Sequence, residues 1–329
     1  MLRPALTPCS LDAVPETLKG GVVAVGNFDG VHRGHAALLA HARDEAHRLG
    51  VPAVVLTFEP HPRTFFRPEA PVFRLTPLEA KARVLTALGI DGLVVGKFDR
   101  AFAGITADEF IESVLRHRFA LKAAAVGFDF QFGKGRSGTP EALKTAGKAL
   151  GFEVEVVGPA HEGDGEPFAS TTVRAQLAEG EVEAANRILG YRWFAAGEVI
   201  QGDRRGRELG FPTANLRLPP EAGLRHGIYA VRVQRADGTQ HDGVASYGRR
   251  PTFDNGAPLL EAFLFDFSGD LYGETIAVSL VGWIRPELKF DSVDQLVAAM
   301  NEDSVEARRI LAGIGPGTAL DQALSGVTP

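Results

Sequence analysis

The apolar positions along the chain fall into two rhythms. In the first, short and mostly apolar runs alternate with segments of helical period. GVVAVG (21–26), PAVVLTF (52–58), DGLVVG (91–96), KAAAVGFDF (122–130) and FEVEVVG (152–158) read as strands buried on both faces. Between them, HAALLAHARDEAHRLG (35–50), TPLEAKARVLTALG (76–89), TADEFIESVLRHRF (106–119) and TPEALKTAGKALG (139–151) space apolar residues as amphipathic helices do. The first of these ends on Gly50. The second is expected to open with Thr76 as N-cap, Pro77 at the first helical position and Glu79 at the third. STTVRAQLAEG (170–180) and EVEAANRILG (181–190) predict two further short helices. This alternation predicts a Rossmann-like α/β domain whose parallel sheet is covered on both faces, with ligands beyond the carboxyl ends of its strands.

After about residue 190 the rhythm changes. FAAGEVI (194–200), GIYAVRVQR (227–235), HDGVASYG (241–248), LLEAFLFDF (259–267) and TIAVSLVGWI (275–284) read as strands, with Gly, Pro, Asp and Asn between them. That pattern predicts a small antiparallel β-barrel. SVDQLVAAMNEDSVEARRIL (292–311) reads as a terminal helix and the tail after it as a frayed end. The expected division falls near residue 188, giving domains 1–187 and 188–329.

Bulk composition narrows the function classes. A chain of 329 residues with 45% hydrophobic and 23% charged positions suits two globular domains. A net charge of −6 argues against a nucleic-acid partner. The single cysteine, Cys9, has no internal disulfide partner and excludes a cysteine-ligated metal, so a reducing compartment is expected. The first residues carry no signal-peptide run, and nothing approaches the roughly 20 apolar residues of a membrane span. The expectation is a cytoplasmic protein acting on small molecules, with no membrane partner; oligomeric state is not legible.

The first candidate site is VAVGNFDGVHRGHAALL (23–39). In a βα turn the N–H groups at the helix start point toward the strand end, and with the helix dipole they form an anion site. Gly26, Gly30 and Gly34 let backbone approach a phosphate. His32 and His35, three apart, add side-chain donors on one side. Such donors suit attack on an α-phosphate, where charge grows on the non-bridging oxygens. A metal pair, or an ordinary helix position for His35, is the alternative; no third ligand with zinc-like spacing lies nearby. GKGRSG (133–138) also fits a dinucleotide fingerprint, but no acidic residue clearly ends the next strand.

The second candidate site begins at GDRRGRELGFPTANL (202–216), where three glycines surround Arg204, Arg205 and Arg207. There is no Walker A sequence, so any kinase here builds its phosphate loop differently; a basic hairpin touching RNA is the other reading. Thr213 and Asn215, two apart, share a face if extended, and both are oxygen ligands suited to Mg²⁺. In LLEAFLFDF, Glu261, Phe263, Phe265 and Phe267 alternate onto one face. A carboxylate among phenyl rings is a poor choice for packing and a reasonable one for a base; a solvated edge strand is the bland alternative.

These motifs together resemble one family. GNFDGVHRGH is similar to the G-x-F-D-G-V-H-x-G-H signature of nucleotidyltransferases, and more narrowly to the bacterial bifunctional riboflavin kinase/FAD synthetase family. TFEPHPRTFF (57–66) resembles its flavin-side loop, VGFDFQFGKGRSG (126–138) its V-G-x-D-F-x-F-G segment, and ASTTVRAQL (169–177) its S-S-T-x-I-R motif. In the last, Ala169 and Val173 depart while Ser170, Thr171 and Arg174 match. The 202–216 stretch resembles G-x-x-R-G-R-x-L-G-F-P-T-A-N-L, and EAFLFDFSGDLYG (261–273) resembles E-V-H-L-L-D-F-x-G-D-L-Y-G. ASYGRRPTF (245–253) corresponds to N-I-G-x-R-P-T-F, with departures at Ser246 and Tyr247, and RPELKFDSVDQL (285–296) also matches the family's C-terminal region.

The resemblance implies FAD biosynthesis from riboflavin, with ATP, Mg²⁺ and flavins as ligands. It implies that His32, His35 and Arg174 stabilise charge in adenylyl transfer and that Glu261 is the kinase base. Gly26, Phe28, Asp29, Gly30, Gly34, Ser170, Thr171, Gly202, Gly206 and Arg207 would line nucleotide, Glu59, Pro60, His61, Pro62 and Asp129 the flavin, and Thr213 and Asn215 the metal. The sequence leaves three rivals: a nucleotidyltransferase of another substrate with an inert barrel, an RNA-binding barrel, and a flavin store without turnover.

Overall fold

Each apolar run of the first half becomes a strand of one parallel sheet. β1 (Cys9–Ser10), β2 (Val22–Val25), β3 (Ala53–Glu59), β4 (Gly92–Lys97), β5 (Ala123–Gly127) and β6 (Glu153–Val157) lie in the order β1-β4-β3-β2-β5-β6. Every neighbouring pair is parallel. The chain steps from β2 to β3 to β4 and then returns to the other side of β2 as β5. The loop leaving β2 therefore opens where the strand order reverses, the usual place for a ligand in such sheets.

The computed structural model describes residues 2–161, 163, 165–202, 210–249 and 258–329. They pack as an α/β unit, residues 5–72 and 76–169, and a barrel unit, residues 2–4, 73–75 and 170–329. Helices of the α/β unit are α1 (Arg33–Leu49), α2 (Pro62–Phe66), α3 (Leu78–Ala87), α4 (Arg100–Ala103), α5 (Ala107–Glu109) and α6 (Pro140–Leu150). α5 opens with a Thr106–Glu109 capping box and continues as a π-helix, Phe110–Arg118. Val23, Val25, Val54, Leu56 and Val126 of the sheet pack with Phe110, Val114 and Leu115 of that helix in one apolar core. α1 ends as expected, on Gly50 in the left-handed region at φ 64°. α3 starts later than expected. Pro77 is its N-cap, with no side-chain bond, because the Thr76 hydroxyl is engaged by residues 28–30 instead.

The barrel unit holds α7 (Ser170–Glu179), α8 (Val182–Leu189), α9 (Val293–Gly313) and α10 (Ala319–Ser325). Its strands are β7 (Phe194–Glu198), β8 (Thr213–Arg217), β9 (Gly227–Gln234), β10 (Gln240–Arg249), β11 (Pro258–Leu264) and β12 (Thr275–Arg285). They form an antiparallel sheet in the order β7-β12-β9-β10-β11-β8. The Ile200 N–H donates to the Asn215 carbonyl at 3.0 Å, bridging the two edges so that the barrel nearly closes. Residues 73–75 belong to this unit: Trp193 Nε1 donates to the Leu75 carbonyl at 2.8 Å, and Phe73 meets Trp193 edge to face.

One expectation fails here for a local reason. The tail is not frayed: α10 carries a Thr318–Asp321 capping box, and Gln234 Nε2 donates to the carbonyls of Ser325 and Val327 at 3.1 Å each. The alternation from Glu261 holds through Phe263 to Phe265, whose N–H donates to the Asp242 carbonyl at 2.8 Å. Phe265 packs in a core with Ala230, Val244, Val281, Ala307 and Leu311, against which Phe263 also lies, and Asp266 then turns the chain at φ 54°.

A bidentate ion pair ties α9 to the sheet, with Arg285 Nε and Nη2 donating to the two Asp303 oxygens at 2.7 and 2.6 Å. Asp303 is 5% exposed. Truncation would leave a partly buried guanidinium without its counter-charge, so Asp303→Ala is expected to destabilise the barrel unit by about 3 kcal/mol. Thermal or denaturant unfolding measures this, and a stability unchanged from the parent chain would contradict it.

Candidate functional site

The turn after β2 is wound tightly. Phe28, Gly30 and Val31 have φ of 45°, 81° and 38°, the last a rare conformation for a β-branched residue. Burial holds it, since Phe28 and Val31 are 1% and 0% exposed. Asp29, also buried, accepts the Thr76 N–H at 3.0 Å, while Gly30 N–H donates to Thr76 Oγ1 at 2.8 Å. The Asp29 carboxylate thus braces the turn from beneath. Space for a side chain is tight on both flanks: a Cβ at Gly26 would meet the Phe28 ring at 3.2 Å, and one at Gly34 the His32 ring at 3.2 Å.

The two histidines come together as the sequence anticipates. Their rings stack at 3.8 Å with 19° between planes, and Phe28 meets His35 edge to face at 5.3 Å. His32 is the N-cap of α1, its Nδ1 accepting the His35 N–H at 3.4 Å. That bond puts the proton of a neutral His32 on Nε2, leaving Nε2 as the donor. Burial pushes the His32 pKa down to about 4, against a smaller opposing effect of Asp29. His35 is held well below its ordinary value by burial, then by His32 and Lys81, and its Nδ1 is buried without a hydrogen-bond partner. The pair belongs to no group of three His, Cys, Asp or Glu side chains fit to hold a metal among the described residues. It offers neutral N–H donors at a helix start, an arrangement for anionic oxygens.

The parallel sheet delivers further candidates to the same edge. β3 ends at Glu59, and His61 caps α2 by accepting the Arg63 N–H on Nδ1 at 3.1 Å, with Pro62 in the first turn. Pro60 lies between β3 and α2, and Asp129 follows β5, exposed, beside half-exposed Phe128. Phe65, Phe66 and Phe98 meet edge to face close by, with Phe66 largely exposed. One contributor escaped the sequence reading. Lys81 of α3 is wholly buried under this edge, with Nζ donating to the Asn27 carbonyl at 2.7 Å and to Thr57 Oγ1 at 3.0 Å. The signal was available: Lys81 occupies the helical stripe of Val84 and Leu85, where an apolar residue is expected.

Ser170, Thr171 and Arg174 lie on α7, in the barrel unit. The helix begins at Ser170, so Ser170 and Thr171 are its first residues. Arg174 Nε donates to the Phe73 carbonyl at 2.7 Å.

In the barrel, strand register assembles the second site. Asn215 of β8 pairs with Glu261 of β11, Glu261 with Ser246 of β10, Ser246 with Ile228 of β9, and Ile228 with Arg285 of β12. Directly paired residues share a face. All five line one cavity of about 740 Å³, together with Thr213, Phe263 and Phe267. Asn215 is 4% exposed; its Nδ2 donates to the Thr213 carbonyl at 3.2 Å, and its Oδ1 is buried without a hydrogen-bond partner. The two departures at 246 and 247 separate cleanly. Ser246 faces the cavity beside Glu261, whereas Tyr247 is fully buried on the opposite face and donates to the Ala222 carbonyl at 3.1 Å. Gly202 packs against the Asn215 side chain; a Cβ there would meet Asn215 Nδ2 at 2.8 Å. Gly206 and Arg207, with Arg204 and Arg205, lie outside the described residues.

Comparison with known proteins follows the same division. Residues 14–172 match the FAD synthetase family and residues 189–311 the riboflavin kinase family. The bifunctional riboflavin kinase/FMN adenylyltransferase of Haemophilus influenzae is 40% identical over 291 residues, 88% of this chain and 94% of its own. Its counterpart in Escherichia coli K12 is 40% identical over 290 residues, 88% and 92% of the two chains. A solved Streptococcus pneumoniae structure, described as a macrolide-efflux protein, superposes with a TM-score of 0.80 at 31% identity, covering 94% of this chain and 100% of that one. Among the described residues, no helix here is long and apolar enough to cross a membrane.

The depressed His32 pKa has a measurable consequence for stability. Between its ordinary value of 6.5 and about 4, the unfolded chain binds a proton that the folded chain refuses. Stability at neutral pH is therefore lost as pH falls through that window, by about 3 kcal/mol from this group. In His32→Asn, which keeps a capping side chain, the fall in unfolding free energy over the same window should be shallower. An equal slope in both proteins would count against a buried neutral His32.

Proposed function

The chain belongs to the bifunctional riboflavin kinase/FMN adenylyltransferase family, and on that premise we propose how its residues divide two successive reactions. Riboflavin and ATP give FMN and ADP; FMN and a second ATP give FAD and pyrophosphate.

Adenylyl transfer is assigned to residues 1–187, a division by chemistry rather than packing, since it includes α7. The FMN phosphate attacks the α-phosphate of ATP, and pyrophosphate leaves. The turn from Gly26 to Gly34, shaped by Phe28, Asp29 and Gly30, receives the nucleotide phosphates at the start of α1. His32 and His35 donate to the oxygens where charge grows. Ser170, Thr171 and Arg174 are assigned to the β- and γ-phosphates, Arg174 as a forked donor. Glu59, Pro60, His61, Pro62 and Asp129 are assigned to the flavin side. The stacked, neutral histidine pair at the switch point of the sheet supports this reading.

Phosphorylation is assigned to residues 188–329. Glu261 accepts the proton of the ribityl 5′-hydroxyl as that oxygen attacks the γ-phosphate of ATP. Gly202, Gly206 and Arg207 are assigned to the nucleotide, the last two lying outside the described residues. Thr213 and Asn215 fit Mg²⁺: both are oxygen donors of one strand, and the Asn215 Oδ1 is buried with no other partner. Bound there, the ion would offset phosphate charge, and the rest of catalysis is positioning. The observation that carries the kinase reading is the direct pairing of Asn215 with Glu261 inside a cavity. The single cysteine favours a cytoplasmic setting.

Incubation with riboflavin, ATP and Mg²⁺, with flavins separated over time, should give FMN first and then FAD. His32→Ala should slow FAD formation by about 100-fold or more and leave FMN formation intact. Glu261→Ala should abolish FMN formation while FAD still forms from supplied FMN. Loss of both activities from either change, in a folded protein, would sink the two-site assignment.

A further inference from the structure

We propose that Lys81 is a positioning residue for adenylyl transfer: its buried ammonium joins the start of the phosphate turn to the end of β3 and so fixes the gap between the nucleotide and flavin sides. The inference rests on the reading of the first site given above and adds a residue that no motif there includes.

The geometry is specific. Lys81 is 0% exposed and cannot touch substrate, so any role is exerted through its neighbours. Its Nζ donates to the carbonyl of Asn27, two residues past the end of β2, and to Thr57 Oγ1 in β3. Thr57 Oγ1 in turn donates to the same Asn27 carbonyl at 3.1 Å, closing a triangle between the two strand ends. Glu59, two residues on and first of the flavin-side loop, places Oε1 3.9 Å from Nζ. One side chain thus holds the turn, the strand and the loop. It is also one of the charges, after burial and His32, that keep His35 neutral.

Energetics argue against a mere packing role. Burying an ammonium costs several kcal/mol before its bonds offset that, and an apolar side chain of similar length would fill the space without the penalty. Removing the ammonium need not strip the Asn27 carbonyl, which keeps the Thr57 hydroxyl. Lys81→Met should therefore fold, yet lose the charge and the bond that define the gap. A misplacement of about 1 Å at a reacting centre is enough to lower a rate by about 100-fold.

The test uses the full chain. Wild type, Lys81→Met and Lys81→Arg are assayed for FAD formation from FMN and ATP, and for FMN formation from riboflavin as a control. In Lys81→Met the kcat for FAD formation should fall by about 30-fold or more, with KM for ATP and FMN within about threefold of wild type and the kinase rate unchanged. Lys81→Arg, which restores a cation, should recover part of that kcat. A Lys81→Met kcat within about threefold of wild type overturns the proposal, as does a Lys81→Arg enzyme no better than Lys81→Met. A loss seen in KM alone also overturns it. If Lys81→Met does not fold, Thr57→Val decides: it removes the shared hydroxyl at nearly constant shape, and a wild-type kcat there is equally fatal. No FAD from FMN in the wild-type chain would instead sink the adenylyl-transfer reading itself, and this inference with it.

Discussion

In a parallel sheet every strand finishes at the same edge, and the first site depends on that constraint. β2, β3 and β5 each release a loop there, so the histidine turn, the Glu59–Pro62 loop and Asp129 gather although the sequence scatters them over about a hundred positions. The reversal of strand order beside β2 leaves the histidine turn at the gap where no crossover helix covers the edge. The turn then needs bracing, because Phe28 and Val31 sit in backbone conformations that each cost about 1–3 kcal/mol. Burial of both side chains and the Asp29–Thr76–Gly30 bonds supply it.

The barrel solves a similar problem through register. Pairing across β8, β11, β10, β9 and β12 sets an amide, a carboxylate, a hydroxyl and a guanidinium in one row on one face of the sheet. A slip of one residue in β11 would send Glu261 to the other face and Leu260, now fully buried, into the cavity. Register is therefore the feature on which the placement of Glu261 depends, and the apolar residues interleaved with the row are what enforce it.

Much of this was legible because it is periodic. Apolar runs and helical stripes place β2 to β6 and the long helices, and Gly50 marks the end of α1. Elements that depend on distant partners were not legible. β1 exists only beside β4, α10 is secured by a capping box and by Gln234, and Thr76 gave up a capping role to bonds with residues more than forty positions earlier. The candidate residues Thr213, Asn215 and Glu261 were visible as chemistry, but their juxtaposition is a long-range pairing that no local spacing encodes. The stripe from Glu261 ends after Phe265, where Asp266 turns the chain, and a strand propensity cannot announce the residue at which pairing ends. Lys81 was passed over since a lone lysine in a helix ordinarily reaches solvent.

One atom in the first site serves two masters. The His32 Nδ1 that receives the His35 N–H is also a place where acid would put a proton, and a protonated nitrogen cannot accept. Acid would thus unfasten the first turn of α1 in the same step that charged the His32 ring. The acid limit of this turn joins the fastening of a helix to the charge of a single imidazole.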